Sequence, residues 1–135
     1  MHDLPLSPED RRRVLSAAQS QPPRERLLAG LVFGHGLALA DALALKVEDI
    51  AWGNDHARLA VQADTGDRRT VTIEREELDA VLGDRRQGAL LATASGIPIR
   101  PDYAARALLR VGEAAGVPSK LSARRLRFKR SAAAR

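Results

Sequence analysis

The spacing of apolar residues changes twice along the chain, and this change limits the fold more than any other feature. In the first third, apolar residues recur at helical spacing, as they do between Leu27 and Val32. Two later runs, Ala57–Gln62 and Thr70–Ile73, alternate apolar and polar residues as half-buried strands do. From Glu76 onward the helical spacing returns. This order predicts a mainly α-helical α+β domain with a small antiparallel β-hairpin.

Proline and glycine residues suggest where the elements begin and end. Helices are predicted at Pro8–Ala18, from Pro23 to Gly34, at Leu39–Leu45, at Glu76–Leu82, at Tyr103–Ala115 and from Ser122 into the basic end of the chain. Ala63–Asp67 has the Asp and Gly chemistry of a hairpin loop. Trp52–Asp55 forms the turn before the first strand or belongs to a still earlier strand. At 135 residues, the chain is predicted to form a single domain, 1–135.

Positive charge is concentrated at one end of the chain. The sequence holds 22 Lys and Arg against 17 Asp and Glu, a net charge of +5. Seven of the basic residues and none of the acidic ones lie in the segment from Lys120 to Arg135. Clustered charge of this kind is a candidate binding surface for a polyanion. The alternative, a solvated and frayed tail, stays open at this point.

Several classes of site are excluded by composition. The chain has no cysteine, so it has neither disulfides nor cysteine-based zinc sites. The three histidines are isolated, and His35 is expected to be a local capping or packing group. No run of about 18 apolar residues exists, and the N-terminus shows no signal-peptide pattern. We therefore expect a soluble cytoplasmic protein without metal, cofactor or membrane partner.

Gly36–Ile50 resembles the Gly-Leu-Arg-x-x-Glu-Leu-x-x-Leu-x-x-x-Asp-Ile segment of the tyrosine recombinase (phage integrase) catalytic domain. Arg69-Thr70-Val71 is similar to the second hairpin strand of that family, and Ser122–Arg127 is similar to its Thr-Pro-His-x-Leu-Arg motif. The predicted order of helices and strands is also that of the family. The resemblance implies a tyrosine-recombinase catalytic fold for the whole chain, with 120–135 as its basic C-terminal segment.

Tyrosine recombinases cleave DNA by attack of a tyrosine on a phosphodiester, while two arginines clamp the phosphate and a hairpin lysine protonates the leaving oxygen. In this sequence the place of the first arginine is taken by Ala38. The place of the hairpin lysine falls near Asp64, a carboxylate that would repel phosphate. The resemblance therefore implies that two elements of the family's catalytic set are absent.

The remaining positions of the family's set fall in the basic end. Its second arginine corresponds to Arg127, and its His or Lys corresponds to Arg124, which keeps a positive charge but not acid–base chemistry near neutral pH. Three positions apart, the two arginines would share one face of a helix. The position of the family's tyrosine nucleophile would come after Arg135, the last residue of this sequence. Tyr103 lies on a different helix and is expected to be a half-buried helix residue.

These observations lead to one principal hypothesis and two alternatives. The principal hypothesis is a catalytically inactive, integrase-like protein, with no catalytic residue, that contacts the phosphate backbone of double-stranded DNA. The expected contacts are Arg69, Lys120, Arg124, Arg125, Arg127, Lys129 and Arg130. The first alternative is a protein-interaction module that pairs with itself or with an intact recombinase. The second is an active nuclease or recombinase, which the substitutions at Ala38 and Asp64 oppose.

Overall fold

The computed structural model describes residues 8–62, 68–93 and 95–116. This part of the chain contains, in order, α1 (Pro8–Ala18), α2 (Pro23–Ala29), α3 (Leu39–Leu43), β1 (Ile50–Trp52), β2 (His56–Gln62), β3 (Arg68–Glu74), α4 (Arg75–Leu82) and α5 (Pro101–Ala115). A π-helical turn at Gly30–Gly34 continues α2, and a 3-10 turn at Val47–Asp49 precedes β1. The predicted mainly helical α+β class is confirmed.

Within the described residues the helices begin and end close to their predicted bounds, and the helix predicted from Ser122 lies outside those residues. α1 covers the predicted residues, and the π-helical turn carries the helical path of α2 on to Gly34, where the helix was expected to stop. α3 is two residues shorter than predicted. α5 begins at Pro101 rather than Tyr103, because proline fits the first turn of a helix without losing a hydrogen bond. None of the helices in the described ranges is both long and apolar enough to cross a membrane.

The sheet is antiparallel in the order β1-β2-β3. The hairpin pairs Leu59 with Val71, and Leu59 also pairs with Ile50 on the other side. Because side chains alternate along a strand, these positions share one face, and that face is buried. The sequence left open whether Trp52 belongs to a turn or to an earlier strand, and the structure shows the strand. Trp52 ends β1, and residues 53–55 turn the chain into β2.

The core is built mainly from leucine, alanine and valine, as a chain with 3% aromatic residues requires. α5 lies at its centre and packs against α1, α2 and α3. Ala104, Leu108 and Val111 of α5 point inward at the spacing of one helix face. The largest fully buried side chains are Leu27, Leu28, Leu31, Leu39, Leu59, Leu78, Leu90, Leu91, Leu108 and Val14. The helices and the sheet therefore share one hydrophobic core.

Candidate nucleic-acid interface

The link between α2 and α3 is a tight reversal of the chain that depends on glycine. Gly36 has φ at +74°, a left-handed conformation that is cheap only for a residue without a β-carbon. The N–H of Leu37 then donates back to the carbonyl oxygen of Leu31 at 3.0 Å. Leu37 is buried, so the link is pinned to the core directly after the turn. This reversal places Ala38 immediately before α3.

Ala38 has the extended backbone of a residue that precedes a helix, with φ at −64° and ψ at 148°. Its carbonyl oxygen accepts the N–H of Ala42 at 3.0 Å, the first hydrogen bond of α3. Its residual exposure is 8%, so the methyl group lies against the protein. A methyl group carries neither a charge nor a hydrogen-bond donor. Ala38 therefore contributes only backbone and packing at the place where the family resemblance puts an arginine.

Arg69 lies near the start of β3, on the face of the sheet that covers the core. Alternation along the strand puts it on the same face as Val71 and Ile73, which are both buried. Its own side chain is exposed, and its Nη2 donates to the carbonyl oxygen of His35 at 2.7 Å. This bond holds the guanidinium group at the α2–α3 turn, next in sequence to the segment that leads into Ala38. One predicted DNA contact is thus held at the turn, three residues before Ala38 in sequence.

His35 is half-buried at the end of the π-helical turn. Burial and the positive charge of Arg69 together lower the pKa of its imidazole below the ordinary value. Both effects favour the neutral form of the imidazole. Its backbone N–H donates to the carbonyl of Gly30 at 3.0 Å, so the residue closes the turn. This agrees with the predicted role of His35 as a local packing or capping group.

The variant Arg69→Gln is expected to raise the pKa of His35, because the nearby positive charge that disfavours the imidazolium form is removed. The pKa is measured by NMR titration of the imidazole C–H signals. Arg68→Gln is the matched control, because Arg68 is the neighbouring arginine of β3 and alternation places it on the opposite face of the sheet. Equal shifts of the His35 pKa in both variants would contradict the contact between Arg69 and His35.

α3 and the β2–β3 hairpin line a cavity of about 350 Å³ near this turn. The lining residues combine carboxylates, small or apolar side chains and one arginine: Asp41, Ala44, Leu45, Asp49, Ala60, Val61 and Arg68. Two carboxylates in one cavity repel a phosphate group. The cavity is therefore a poor phosphate site, whereas Arg69 is not among its lining residues.

A polar cluster of Arg24, Glu25 and Tyr103 joins α2 to α5. The Tyr103 hydroxyl donates to Oε2 of Glu25 at 2.7 Å. Nη2 of Arg24 donates to the same carboxylate oxygen at 2.9 Å and to the Tyr103 hydroxyl at 3.0 Å. The guanidinium carbon also lies 5.4 Å from the centre of the Tyr103 ring, within the range of a cation–π contact. Tyr103 is half-buried, as predicted, and its hydroxyl belongs to a network that links two helices.

This cluster was not predicted from the sequence, although the sequence contains one signal for it. Glu25 precedes Leu28 and Ala29 by three and four positions, so helical spacing puts its carboxylate on the buried face of α2. A carboxylate at such a position requires a partner, because burial of an unpaired charge is strongly unfavourable. The partner hydroxyl of Tyr103 comes from a distant helix and carries no local signal.

The other predicted DNA contacts lie outside the described residues. These are Lys120, Arg124, Arg125, Arg127, Lys129 and Arg130. The same holds for Asp64, the residue assigned to the place of the hairpin lysine. Arg69 is therefore the predicted contact whose surroundings the structure describes, and the roles of the six others stay predictions.

No protein-family model matches the chain, and no curated protein matches it in sequence. Solved structures do match. They include the XerH site-specific recombinase bound to palindromic difH substrate, at 18% identity and a TM-score of 0.65, over 87% of this chain and 37% of the XerH chain. A lambda integrase tetramer bound to a Holliday junction matches at 22% identity and a TM-score of 0.60, over 86% of this chain and 37% of the integrase chain. XerA recombinase matches at 17% identity and a TM-score of 0.58, over 90% of this chain and 48% of the XerA chain.

The fold is that of a tyrosine recombinase catalytic domain. At these identities the likeness is one of fold, and the chain spans less than half the length of each of these three recombinases. The fold expected from Gly36–Ile50 and from the order of elements is confirmed. DNA binding and the absence of strand cleavage stay predictions for this recombinase-like fold.

Proposed function

We propose that the protein is a catalytically inactive, integrase-like DNA-binding protein. Arg69 and the basic residues between Lys120 and Arg130 would contact the phosphate backbone of double-stranded DNA. The observation that carries the proposal is the hydrogen bond from Arg69 to the carbonyl of His35, which holds a cation at the α2–α3 turn of a recombinase-like fold. Among solved structures of this fold, XerH is bound to palindromic difH substrate and lambda integrase to a Holliday junction.

The anchored guanidinium of Arg69 is suited to a phosphate. An arginine side chain has five N–H donors, and the bond to His35 engages Nη2, so the other nitrogens keep donors for an anion. The anchor also reduces the side-chain freedom that binding would otherwise remove. An arginine held in this way contributes affinity without reading the base sequence, as phosphate contacts generally do.

The proposed lack of catalysis follows from the altered residues. Ala38 presents a buried methyl group where the family resemblance places a phosphate-clamping arginine. Removal of one donor that stabilises the charge of a transition state typically raises the barrier by about 3 to 4 kcal/mol. Asp64 adds a negative charge at the place of the hairpin lysine. Binding of a phosphate requires only some of these cations, whereas cleavage requires the complete set.

Binding is tested by fluorescence anisotropy with a labelled random-sequence duplex at low and moderate salt. We expect binding that weakens steeply with salt, because contacts to phosphates release counterions. The double variant Arg124→Ala/Arg127→Ala is expected to reduce the salt slope by about 2, and Arg69→Ala by about 1.

Arg58→Ala provides the matched control for Arg69→Ala. Arg58 is an exposed arginine of the same sheet, and it lies on the face that points away from the core. The control is expected to bind like the unaltered protein. Absence of binding at low salt, or an equal loss in all three variants, would contradict the proposed phosphate contacts.

Cleavage is tested separately by incubation with supercoiled plasmid. We expect neither relaxed plasmid nor a covalent protein–DNA adduct, with an intact tyrosine recombinase and its own target site as the positive control. A covalent adduct in the sample of this protein would overturn the proposed inactivity. It would leave the proposed DNA binding in place, so the two parts of the proposal are tested independently.

A further inference from the structure

β3 is an edge strand of the sheet. The strand order β1-β2-β3 leaves one of its sides without a neighbouring strand among the described residues. Among the described residues, β3 forms its backbone hydrogen bonds with β2, which lies on its other side. The strand is seven residues long, from Arg68 to Glu74, which is more than twice the length of β1. A strand edge of this length presents a row of backbone donors and acceptors to the surroundings.

The middle of β3 has none of the usual features that protect a sheet edge. Residues Thr70–Ile73 are all β-branched, and the strand contains no proline, glycine or lysine. Its outward-facing threonines, Thr70 and Thr72, are small enough to allow a second strand to approach. The charged residues stand at the two ends instead, with Arg68 and Arg69 at the start and Glu74 at the finish. A central stretch of this kind favours pairing with another strand.

We propose that β3 pairs antiparallel with β3 of a second copy of this chain, about a two-fold axis at Val71. In this register, Arg68 of each copy lies opposite Glu74 of the other, and Thr70 lies opposite Thr72. Both charged residues are exposed on the outer face of the sheet. The strand is therefore complementary to itself in charge, and opposite charges and threonine pairs both favour cross-strand pairing. The result is a six-stranded sheet that spans two copies.

Charge also selects this register over its competitors. A shift of two residues in either direction loses both Arg68–Glu74 pairs. A parallel pairing in register places Arg68 opposite Arg68 and Glu74 opposite Glu74. Like charges directly opposite each other destabilise a strand pair. The register centred on Val71 avoids these contacts and forms two Arg–Glu pairs.

The dimer is measured by sedimentation equilibrium of the full chain without DNA, over a range of protein concentrations. Since one strand pair is a small interface, we expect a weak, concentration-dependent dimer. Arg68→Glu and Glu74→Arg each replace two opposite-charge pairs by two like-charge pairs. Each is expected to raise the dissociation constant at least about tenfold, and the double variant Arg68→Glu/Glu74→Arg is expected to restore it.

Arg58→Glu is the matched control, with the same change of charge on the outer face of the neighbouring strand, and it is expected to leave the dissociation constant near its original value.

Hydrogen exchange provides a second measurement, since amides of Thr70–Ile73 that point away from β2 should exchange more slowly as the protein concentration rises. A monomer at every concentration would overturn the proposal. So would a dimer that responds equally to Arg58→Glu, or that the double variant fails to restore. Because no DNA is present, these outcomes do not depend on the proposed DNA binding.

Discussion

Glu25→Ala is expected to lower the free energy of unfolding by about 2 to 3 kcal/mol. The variant removes the carboxylate that accepts hydrogen bonds from both Arg24 and Tyr103. It takes the acceptor from the Tyr103 hydroxyl and one acceptor from the partly buried guanidinium of Arg24, and so weakens the polar network between α2 and α5. Arg24 keeps some contact with water, so the effect is smaller than for a fully buried charge. The measurement is urea unfolding followed by circular dichroism at neutral pH.

Two variants test whether the effect comes from the cluster. Glu9→Ala removes a carboxylate from an exposed pair with Arg13, and its effect is expected to stay below about 1 kcal/mol. Tyr103→Phe removes one hydroxyl and keeps the ring over Arg24, so an intermediate loss of about 1 kcal/mol is expected. Equal losses for Glu25→Ala and Glu9→Ala would show that the cluster does not stabilise the fold.

The contribution of Glu25 to the stability of the folded state should decrease at low pH. Burial alone would raise the pKa of Glu25, but the hydrogen bonds from Tyr103 and Arg24 outweigh it and hold the pKa below its ordinary value of 4.5. The ionised carboxylate therefore stabilises the folded state above that ordinary value, and this stabilisation is lost as the pH falls through the lower pKa of the folded protein. The difference in stability between the unaltered protein and Glu25→Gln should shrink accordingly below pH 4.5.

Leu108→Ala is expected to lower the free energy of unfolding by about 3 kcal/mol, since truncation of a buried leucine loses its transfer free energy and leaves a cavity. Leu108 has 0% exposure and lies on the helix that packs against α1, α2 and α3. Domains of this size are stable by only about 5 to 15 kcal/mol, so the loss is a large fraction of the total. Urea unfolding at neutral pH measures it.

Leu109→Ala is the matched control for Leu108→Ala. It makes the same chemical change at the next position of α5, where the side chain is only partly buried against the core. Its loss is expected to be less than half as large, because the remaining space opens toward solvent. Similar losses in the two variants would contradict the placement of Leu108 at the centre of the helical packing.

Local patterns in the sequence account for most of the elements. α1 ends where predicted at Ala18, and the two alternating runs form the β2–β3 hairpin. Both outcomes follow from spacing over a few residues, which decides whether apolar side chains fall on one face of a helix or a strand. β1 was left open because three residues, Ile50–Trp52, are too few for alternation to be recognised. Its strand conformation results from pairing with β2.

The sequence by itself determined most of the element types, their order and the likeness to the recombinase fold. Only the tertiary structure decided which polar groups meet. Arg69 and His35 are 34 positions apart, and Tyr103 and Glu25 are 78 apart. The physical reason is that such contacts depend on how the sheet covers the core and how α5 packs on α2, whereas apolar periodicity describes one element at a time.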